Sequence, residues 1–416
     1  MAVLCVTIAV YHFYTAWFSN LLPLVQLWIS LHLVMIVALL SRPLGRGWWR
    51  ILDFVGIAGL LVFTVRFFVD YEFIILFGHA KADAFSMVAG TMTIIILIDL
   101  ARRYLGWTIV ILTIFIMLQG LVADKFPKGF FLYGPPITWR SIVEFEYLAE
   151  WGIWNIPVQV FSGFIVLFFV LVGVWRCAGV MDVVRDLALT IAGRYTGGPA
   201  KVAVIASAFF GTIQGASISN VVSSGSWTIP TMKATGYRPA FAGAVEAVAS
   251  SGGLITPPVL GLAGFVMADF LNIPYLTIMA ISIIPALLFY AGTLSAVHFE
   301  AKRAGLPGLP PSQIPRLLPV LARSWLFVLP IAVLILLLLQ GFPIGTCVAW
   351  SVVALLIATI PVAGSIRWLT RRWHWLRPIN HIFPETTPPK PQALLLALED
   401  AGRMSINVGI AVATAG

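Results

Sequence analysis

The sequence predicts an all-α polytopic membrane protein, and three observations support this prediction. Of its 416 residues, 60% are hydrophobic and only 10% are charged, whereas about 25% of the residues of soluble domains are charged. The mean hydropathy is +0.97. Apolar stretches recur along the chain, and because a spanning helix needs roughly 20 apolar residues, we expect about 11 membrane segments. An outer surface this apolar has to face the lipid bilayer.

The apolar segments follow one another with mostly short connections. The first one lacks the basic leader and the cleavage site of a signal peptide, so we expect it to remain as a helix. The predicted segments are 2–18, 23–41, 51–69, 85–100, 105–123, 157–176, 201–222, 240–270, 274–297, 324–340, 343–363 and a last one from 392 onward. The connection 124–156 contains several prolines and glutamates and is predicted to be an external loop.

The formal net charge of +9 is explained by membrane topology and not by a nucleic-acid partner. The basic residues cluster in five loops, 42–50, 102–103, 176–201, 302–323 and 367–390. Because basic loops of membrane proteins stay in the cytoplasm, all five are predicted to be cytoplasmic, together with the N-terminus. The tryptophans beside these loops, typical of an interfacial belt, are Trp48, Trp49, Trp368, Trp373 and Trp375.

An odd number of segments between the third and fourth basic loops predicts a helical hairpin. The segments 201–222, 240–270 and 274–297 separate two loops that both lie in the cytoplasm. One of them therefore cannot cross, and we expect 201–222, with its continuation to about 235, to be a re-entrant hairpin. Irregular backbone is tolerated at membrane depth only where it is buried in protein or lines a cavity. This hairpin is therefore a candidate for the functional core.

The connection 179–196 has an amphipathic pattern. Asp182, Arg185 and Asp186 share one helical face, whereas the opposite face is apolar. A helix that lies in the membrane interface fits this pattern. A short helix packed on the rest of the protein fits it equally well, so both interpretations stay open.

The segment 207–225 concentrates small and polar residues inside an apolar stretch. Helix packing does not explain the polar side chains of Gln214, Ser217 and Asn220, which are costly at membrane depth unless they meet water, an ion or a substrate. We therefore favour a functional role over a purely structural one. Small residues also recur at every fourth position and would let another backbone approach closely; they are Ser207, Gly211, Gly215, Ser219 and Ser223.

The segment 249–264 predicts a helix that breaks inside the membrane. Gly252 and Gly253 weaken a helix, and Pro257 and Pro258 lack backbone donors. We expect the first half-helix to leave unpaired carbonyls at 250–253, which can hold a small cation. An ordinary proline kink is the structural alternative, but two glycines and two prolines so close together favour a functional break.

The second half-helix is expected to begin with Thr256 as its N-cap and Pro257 at the first helical position. Its free N–H groups and the positive end of its dipole suit an anion. Many ion-coupled transporters build their sites from discontinuous helices of this kind.

Two long stretches carry a family resemblance. They are GGPAKVAVIASAFFGTIQGASISNVVSSGSWTIPTMKATGY (197–237) and FAGAVEAVASSGGLITPPVLGLAGFVMADFLNIPY (241–275). Through them, 157–300 resembles the large membrane subunit of the tripartite ATP-independent periplasmic (TRAP) transporters, and 1–125 resembles the small subunit, a fusion typical of the TAXI branch. The resemblance divides the chain into a small-subunit-like domain (1–125), an external loop (126–156), the first half of a large-subunit-like transport domain (157–391) and the start of a second half (392–416).

The resemblance implies a multi-pass carrier of the bacterial inner membrane with an ion-transporter-like elevator fold, incomplete in this chain. It implies coupling to Na+, no organic cofactor, and a separate periplasmic substrate-binding protein that delivers a small anionic solute. That solute is usually a carboxylate, such as a C4-dicarboxylate or a 2-oxo acid. A complete large subunit would continue with a second, inverted half, so the resemblance also implies that this chain does not transport alone.

Carried over residue by residue, the resemblance implies two overlapping sets of site residues. The substrate set is Ser217, Asn220, Thr256 and Pro257, and the sodium set is Gly215, Ser219, Asn220, Gly252, Gly253 and Thr256. The family usually has Ser where this chain has Gln214, and Gln-x-Met where it has Leu254-Ile255-Thr256. These departures bear on substrate selectivity more than on the fold.

The remaining polar residues of the apolar segments receive structural interpretations. Glu246 is expected to hydrogen-bond across helices or to reach the membrane interface rather than to bind an ion or a proton. Asp99 is expected to pair with Arg102 and Arg103 on its own helix. The isolated histidines, expected to be packed polar residues and not ligands, are His12 and His32.

Two other functions are weighed against the carrier. An intramembrane serine protease could use Ser217 as nucleophile, but His298, the nearest base in the sequence, is expected at the cytoplasmic rim, and no HExxH or GxSxG motif is present. No catalytic residue is therefore assigned. A channel with the hairpin as its filter is the third possibility. The widely spaced cysteines imply neither a disulfide nor a metal site; they are Cys5, Cys177 and Cys347.

Overall fold

The computed structural model describes residues 1–18, 23–45, 47–77, 81–149, 151–215, 217–372 and 391–415. Within these ranges the chain is helical and contains no β-strand. Its internal contacts divide it into two units, Met1–Val166 with Glu399–Gly416, and Leu167–Leu398. The all-α prediction is confirmed, whereas the domain boundaries at 125, 156 and 391 stay predictions.

The helices of the first unit are α1 (Ala2–Phe18), α2 (Pro23–Ser41), α3 (Arg50–Val69), α4 (Tyr71–Phe77), α5 (Ala84–Tyr104), α6 (Trp107–Val122), α7 (Trp139–Val143) and α8 (Ile156–Val160). Those of the second unit are α9 (Val166–Cys177), α10 (Val180–Ala192), α11 (Gly198–Gln214), α12 (Ser217–Ala234), α13 (Pro239–Ser251), α14 (Leu262–Leu271), α15 (Tyr275–Arg303), α16 (Leu317–Arg323), α17 (Trp325–Leu339) and α18 (Ile344–Arg372). The last helix, α19 (Pro391–Thr414), runs from the second unit into the first.

Six helices in the described ranges are long and apolar enough to cross a membrane, or seven if one bent pair counts as a single span. They are Leu24–Ser41, Gly47–Val69, Ala84–Tyr104, Trp107–Lys125, Ile156–Cys177 and Tyr275–Arg303, and the bent pair is Pro311–Arg323 with Trp325–Leu339. Shorter apolar helices are Ala2–Phe18, Pro239–Ile255 and Ile344–Thr359. The chain is therefore a polytopic membrane protein, as predicted.

Polar side chains inside the first unit have partners from neighbouring helices. His12 Nε2 lies 2.8 Å from Ser30 Oγ, and His32 Nδ1 lies 2.8 Å from Thr64 Oγ1, with both rings buried. The prediction that both histidines are packed polar residues is confirmed.

Asp99 binds Arg102 and Arg103 on its own helix, as predicted from their spacing. Asp53 on α3 was not predicted as a partner, but its carboxylate lies 2.7 Å from Arg103. Both of these side chains are almost fully buried, so the pair ties α3 to α5. Asp53 and Arg103 are far apart in the sequence, so no local spacing of residues could predict this ion pair.

The amphipathic helix α10 packs inside the second unit. Val180, Val183, Val184 and Ala188 are buried on its apolar face. On its polar face, Asp186 lies 3.4 Å from Arg323 of α16. Of the two interpretations left open, the structure therefore favours a helix packed on the protein.

Among the predicted belt tryptophans, Trp48 and Trp49 are exposed on the surface, and their rings stack with centroids 4.0 Å apart. Exposed rings fit an interfacial position. The other three belt positions, namely the side chain of Trp368 and the residues Trp373 and Trp375, lie outside the described residues.

Candidate functional site

Helices α11 and α12 form the predicted helical hairpin. They are antiparallel, since Asn220 Nδ2 on α12 donates to the Ser207 carbonyl on α11 at 2.9 Å and Ser224 Oγ lies 3.3 Å from Ser207 Oγ. The turn begins at Gly215, whose φ of 53° lies in the left-handed region. A Cβ on Gly215 would also collide with the Leu260 carbonyl, so only glycine fits this position.

The hairpin and the broken helix approach each other backbone to backbone. A Cβ on Gly211 of α11 would lie 2.6 Å from Gly253 Cα, and one on Gly253 would lie 2.9 Å from Gly211 Cα. The close approach predicted from the small residues is therefore present. The five small residues, spaced as on one face of a continuous helix, do not lie on one helix, because the chain reverses at Gly215 and places Ser219 and Ser223 on the other arm.

The predicted break at the end of α13 is present, but the second half-helix begins later than expected. Helix α13 passes into a 3-10 turn at Gly252–Ile255, and the next helix, α14, starts at Leu262 after Gly261. The prediction that Thr256 is an N-cap and Pro257 the first helical residue is wrong. Thr256 is extended, as expected for a residue before proline, and Leu260 then takes a left-handed conformation.

The carbonyls at the end of α13 are not unpaired, which corrects a second expectation. The Gly252 carbonyl accepts from Thr256 Oγ1 at 2.6 Å, and the Gly253 carbonyl accepts from the Thr256 N–H at 3.3 Å. Asn220 Nδ2 lies 3.5 Å from the Ser250 carbonyl. The 3-10 turn and these side chains satisfy groups that a simple helix end would leave free.

Two tyrosines of α15, which the sequence analysis missed, hold the broken helix. Tyr275 Oη lies 2.8 Å from the Pro258 carbonyl and 2.7 Å from the Val259 carbonyl. Tyr290 Oη lies 3.2 Å from Thr256 Oγ1. The presence of tyrosine in an apolar helix could have indicated these contacts, because a buried tyrosine hydroxyl usually finds a hydrogen-bond partner.

A buried carboxylate joins the hairpin to the broken helix. Glu246 of α13 has no exposed surface. Its Oε1 lies 3.1 Å from the hydroxyls of Ser207 and Ser250 and also accepts from Ser224, and its Oε2 lies 2.5 Å from Thr228 Oγ1. The prediction that Glu246 hydrogen-bonds across helices is confirmed. The network fixes both hairpin arms and α13 to one another.

The family model described as "Tripartite ATP-independent periplasmic transporter, DctM component" matches residues 92–416. The chain belongs to this DctM family. The match includes the hairpin and the broken helix, and it begins within α5. The family consists of transporter permeases and not of enzymes, in agreement with the sequence-based prediction.

Curated relatives of this DctM-family chain are distant. The C4-dicarboxylate TRAP transporter large permease protein DctM of Pseudomonas aeruginosa is 29% identical over 144 residues, 34% of this chain and 33% of the relative. The sialic acid TRAP transporter permease protein SiaT of Haemophilus influenzae is 22% identical over 213 residues, 48% of this chain and 34% of the relative. The uncharacterised protein y4mL of Sinorhizobium fredii is 27% identical over 237 residues, 56% of this chain and 55% of the relative. The chain thus matches about half, or less, of the length of these relatives.

The DctM-family hairpin brings only part of the predicted site together. Asn220 is buried, and its amide is close to Gly253, since a Cβ there would lie 3.4 Å from Asn220 Nδ2. Gly215 meets the linker after the break at Leu260. The other predicted positions lie in the hairpin and in the broken helix. In the hairpin, Ser217 and Ser219 are in the first turn of α12. In the broken helix, Gly252 is in the 3-10 turn, and Thr256 and Pro257 are in the linker. The side chain of Gln214 lies outside the described residues.

The chemistry of this DctM-family site suits a hard cation. The groups around Asn220 and Gly253 present backbone carbonyls, an amide oxygen and hydroxyls, and oxygen atoms are the ligands that such cations prefer. No group of three or more His, Cys, Asp or Glu side chains that could hold a metal occurs in the described ranges.

His298, the base that the serine-protease alternative would use, lies far from Ser217 in this DctM-family chain. His298 Nδ1 lies 2.9 Å from Lys201 Nζ, at the beginning of α11. Ser217 follows the end of the same helix. The two positions are thus separated by roughly 20 Å of helix, far beyond hydrogen-bond reach.

Proposed function

We propose that this chain is part of the permease of a sodium-coupled secondary transporter that imports a small carboxylate. The observation that carries the proposal is the packing of the hairpin on a broken helix, with Gly211 against Gly253 and the turn at Gly215 against Leu260. Breaks of this kind place carbonyl oxygens and helix ends where ions and anionic solutes can bind. DctM-family membership supports the same function.

The class of substrate is proposed from two relatives. One is named for C4-dicarboxylates and the other for sialic acid. Both kinds of compound are carboxylic acids, so we propose a small carboxylate, such as a C4-dicarboxylate or a 2-oxo acid, as the solute. Oxygen-rich groups at Asn220, Gly252 and Gly253 would bind Na+, and Ser217, Thr256 and Pro257 would contact the solute.

The partners and the location belong to the same proposal. A periplasmic substrate-binding protein would deliver the solute, as the family description implies for a tripartite transporter. The permease would lie in the bacterial inner membrane with its N-terminus in the cytoplasm. We further propose that 1–125 is a fused small-subunit-like domain of TAXI type, and that an elevator movement of the hairpin domain carries the solute.

The test is solute uptake into proteoliposomes by the full-length gene product, with its binding protein and a panel of mono- and dicarboxylates. Uptake should require both Na+ and the binding protein. Asn220→Ala should reduce it at least about tenfold, because a buried amide that bridges three elements is lost. Ser226→Ala, an exposed position on the same helix, is the matched control and should transport normally.

A channel is the alternative that this assay separates from a carrier. A carrier shows counterflow, in which unlabelled solute inside the vesicle accelerates entry of labelled solute. A channel conducts without counterflow and without saturation by Na+. Uptake that needs neither Na+ nor the binding protein would refute the proposed transporter.

A further inference from the structure

Glu246 is a fully buried carboxylate for which the described residues provide no positive partner. None of the ion pairs in the described ranges includes it. Its described hydrogen-bond partners are all hydroxyl groups. A buried charge is strongly unfavourable unless it is paired or coordinates a metal. Within the described residues, a negative charge at Glu246 has no cationic partner, so a bound cation would be needed to balance it.

The hydroxyl groups around Glu246 suit a negatively charged acceptor. A carboxylate has two oxygen atoms and about four acceptor positions, which matches four hydroxyl donors. Two of these hydroxyls also have backbone acceptors one turn earlier: Ser224 Oγ lies 2.8 Å from the Asn220 carbonyl, and Thr228 Oγ1 lies 3.0 Å from the Ser224 carbonyl. These two can change partner without losing a hydrogen bond.

The carboxylate is connected directly to the proposed cation site. Ser250 donates its hydroxyl to Glu246 at 3.1 Å, and its carbonyl lies 3.5 Å from Asn220 Nδ2. On the other side, Ser207 donates its hydroxyl to Glu246, and its carbonyl accepts from Asn220 Nδ2 at 2.9 Å. One residue therefore separates the carboxylate from Asn220 along each of the two routes.

We propose that Glu246 supplies the negative charge that balances Na+ bound at Asn220, Gly252 and Gly253, and that it acts as a positioning residue through Ser207 and Ser250. The inference rests on the proposed sodium coupling and adds the residue that provides the countercharge. A cation beside a buried carboxylate neutralises it, and opposite charges attract strongly where water is excluded. The buried pair of Na+ and Glu246 then carries no net charge, which favours its burial at membrane depth.

The experiment measures Na+ binding by thermal unfolding of the purified full-length protein without solute, because a ligand that binds only the folded state raises its stability. NaCl is titrated against choline chloride at constant ionic strength. Glu246→Gln keeps the size of the side chain and removes its charge, whereas Glu246→Asp keeps the charge and shortens the chain. Glu144→Gln, which removes an exposed carboxylate of the first unit, is the control.

The Na+ concentration for half-maximal stabilisation should rise about tenfold or more in Glu246→Gln. It should stay within about threefold of the wild-type value in Glu246→Asp and in Glu144→Gln. Equal losses in the Gln and Asp variants would assign Glu246 a purely structural role and overturn the proposal, as would an unchanged response in Glu246→Gln. If Glu246→Gln does not fold, Glu246→Asp decides the question. An increase above about tenfold in its Na+ concentration for half-maximal stabilisation would contradict a role of the charge. A wild-type protein without any Na+-specific response would instead refute the sodium coupling itself.

Discussion

At the scale of single residues, the contact between Gly211 and Gly253 decides how closely the hairpin approaches the broken helix. A Cβ on Gly211 would lie 2.6 Å from the Gly253 Cα, which is backbone and cannot move aside as a side chain does. Overpacking of this kind costs about 1–3 kcal/mol. Gly211→Ala should therefore lower the thermal unfolding temperature and the Na+ response together. Gly243→Ala, on α13 with open space around it, is the control and should lose no stability.

Asp83 in the first unit gives a second test at the residue scale. Its Oδ1 accepts from the Ser86 N–H at 2.8 Å as the N-cap of α5, and its Oδ2 lies 2.8 Å from Arg66. The hydrogen bond from the Ser86 N–H, with the charge of Arg66, lowers the pKa of the Asp83 carboxyl. The folded state thus binds this proton less readily than the unfolded chain, in which the pKa is about 3.9.

The stabilisation by Asp83 is therefore present above the unfolded pKa and is lost as the pH falls through the lower folded pKa. Asp83→Asn keeps an N-cap acceptor but removes the charge. The unfolding temperature of the wild type should exceed that of Asp83→Asn at pH 6, and the difference should shrink as the pH is lowered towards 3. A difference that is constant with pH would show that the charge of Asp83 does not contribute.

At the scale of elements, the linker between α13 and α14 is held from outside by α15. The Tyr275 hydroxyl lies within hydrogen-bond distance of the Pro258 and Val259 carbonyls. Tyr275→Phe should cost about 1 kcal/mol or somewhat more, because it leaves these carbonyls with one partner fewer. Amide hydrogen exchange should become faster in the linker and stay unchanged in α10. Tyr14→Phe, at an exposed position of α1, is the control.

The same elements show how far the sequence could predict this site. The hairpin followed from a count of apolar segments between basic loops, and the break followed from the glycines and prolines at 252–258. The predicted start of α14 was wrong because helix-capping rules use only neighbouring residues. The conformation of the linker depends instead on Tyr275 and on the hairpin turn at Gly215. Likewise, three of the four partners of Glu246 come from α11 and α12, and no spacing along α13 reveals them.

At the scale of the whole molecule, the distribution of basic residues predicts the orientation of the protein. The loop 42–50 and the connection after α15 are predicted to be cytoplasmic, and 124–156 is predicted to be external. Single cysteines can test this prediction in a variant without Cys5, Cys177 and Cys347. Ser141 and Ser312 are exposed positions in the two predicted compartments and are suitable sites.

A membrane-impermeant thiol reagent added to spheroplasts, whose inner membrane is intact, should label Ser141→Cys and leave Ser312→Cys unlabelled. After the membrane is permeabilised, both should react, because both positions lie on the surface of the chain. The reverse pattern would place the N-terminus outside and invert the orientation of the proposed hairpin. The hairpin would then enter the membrane from the periplasmic side. The order of solute and Na+ binding during import would have to be reconsidered.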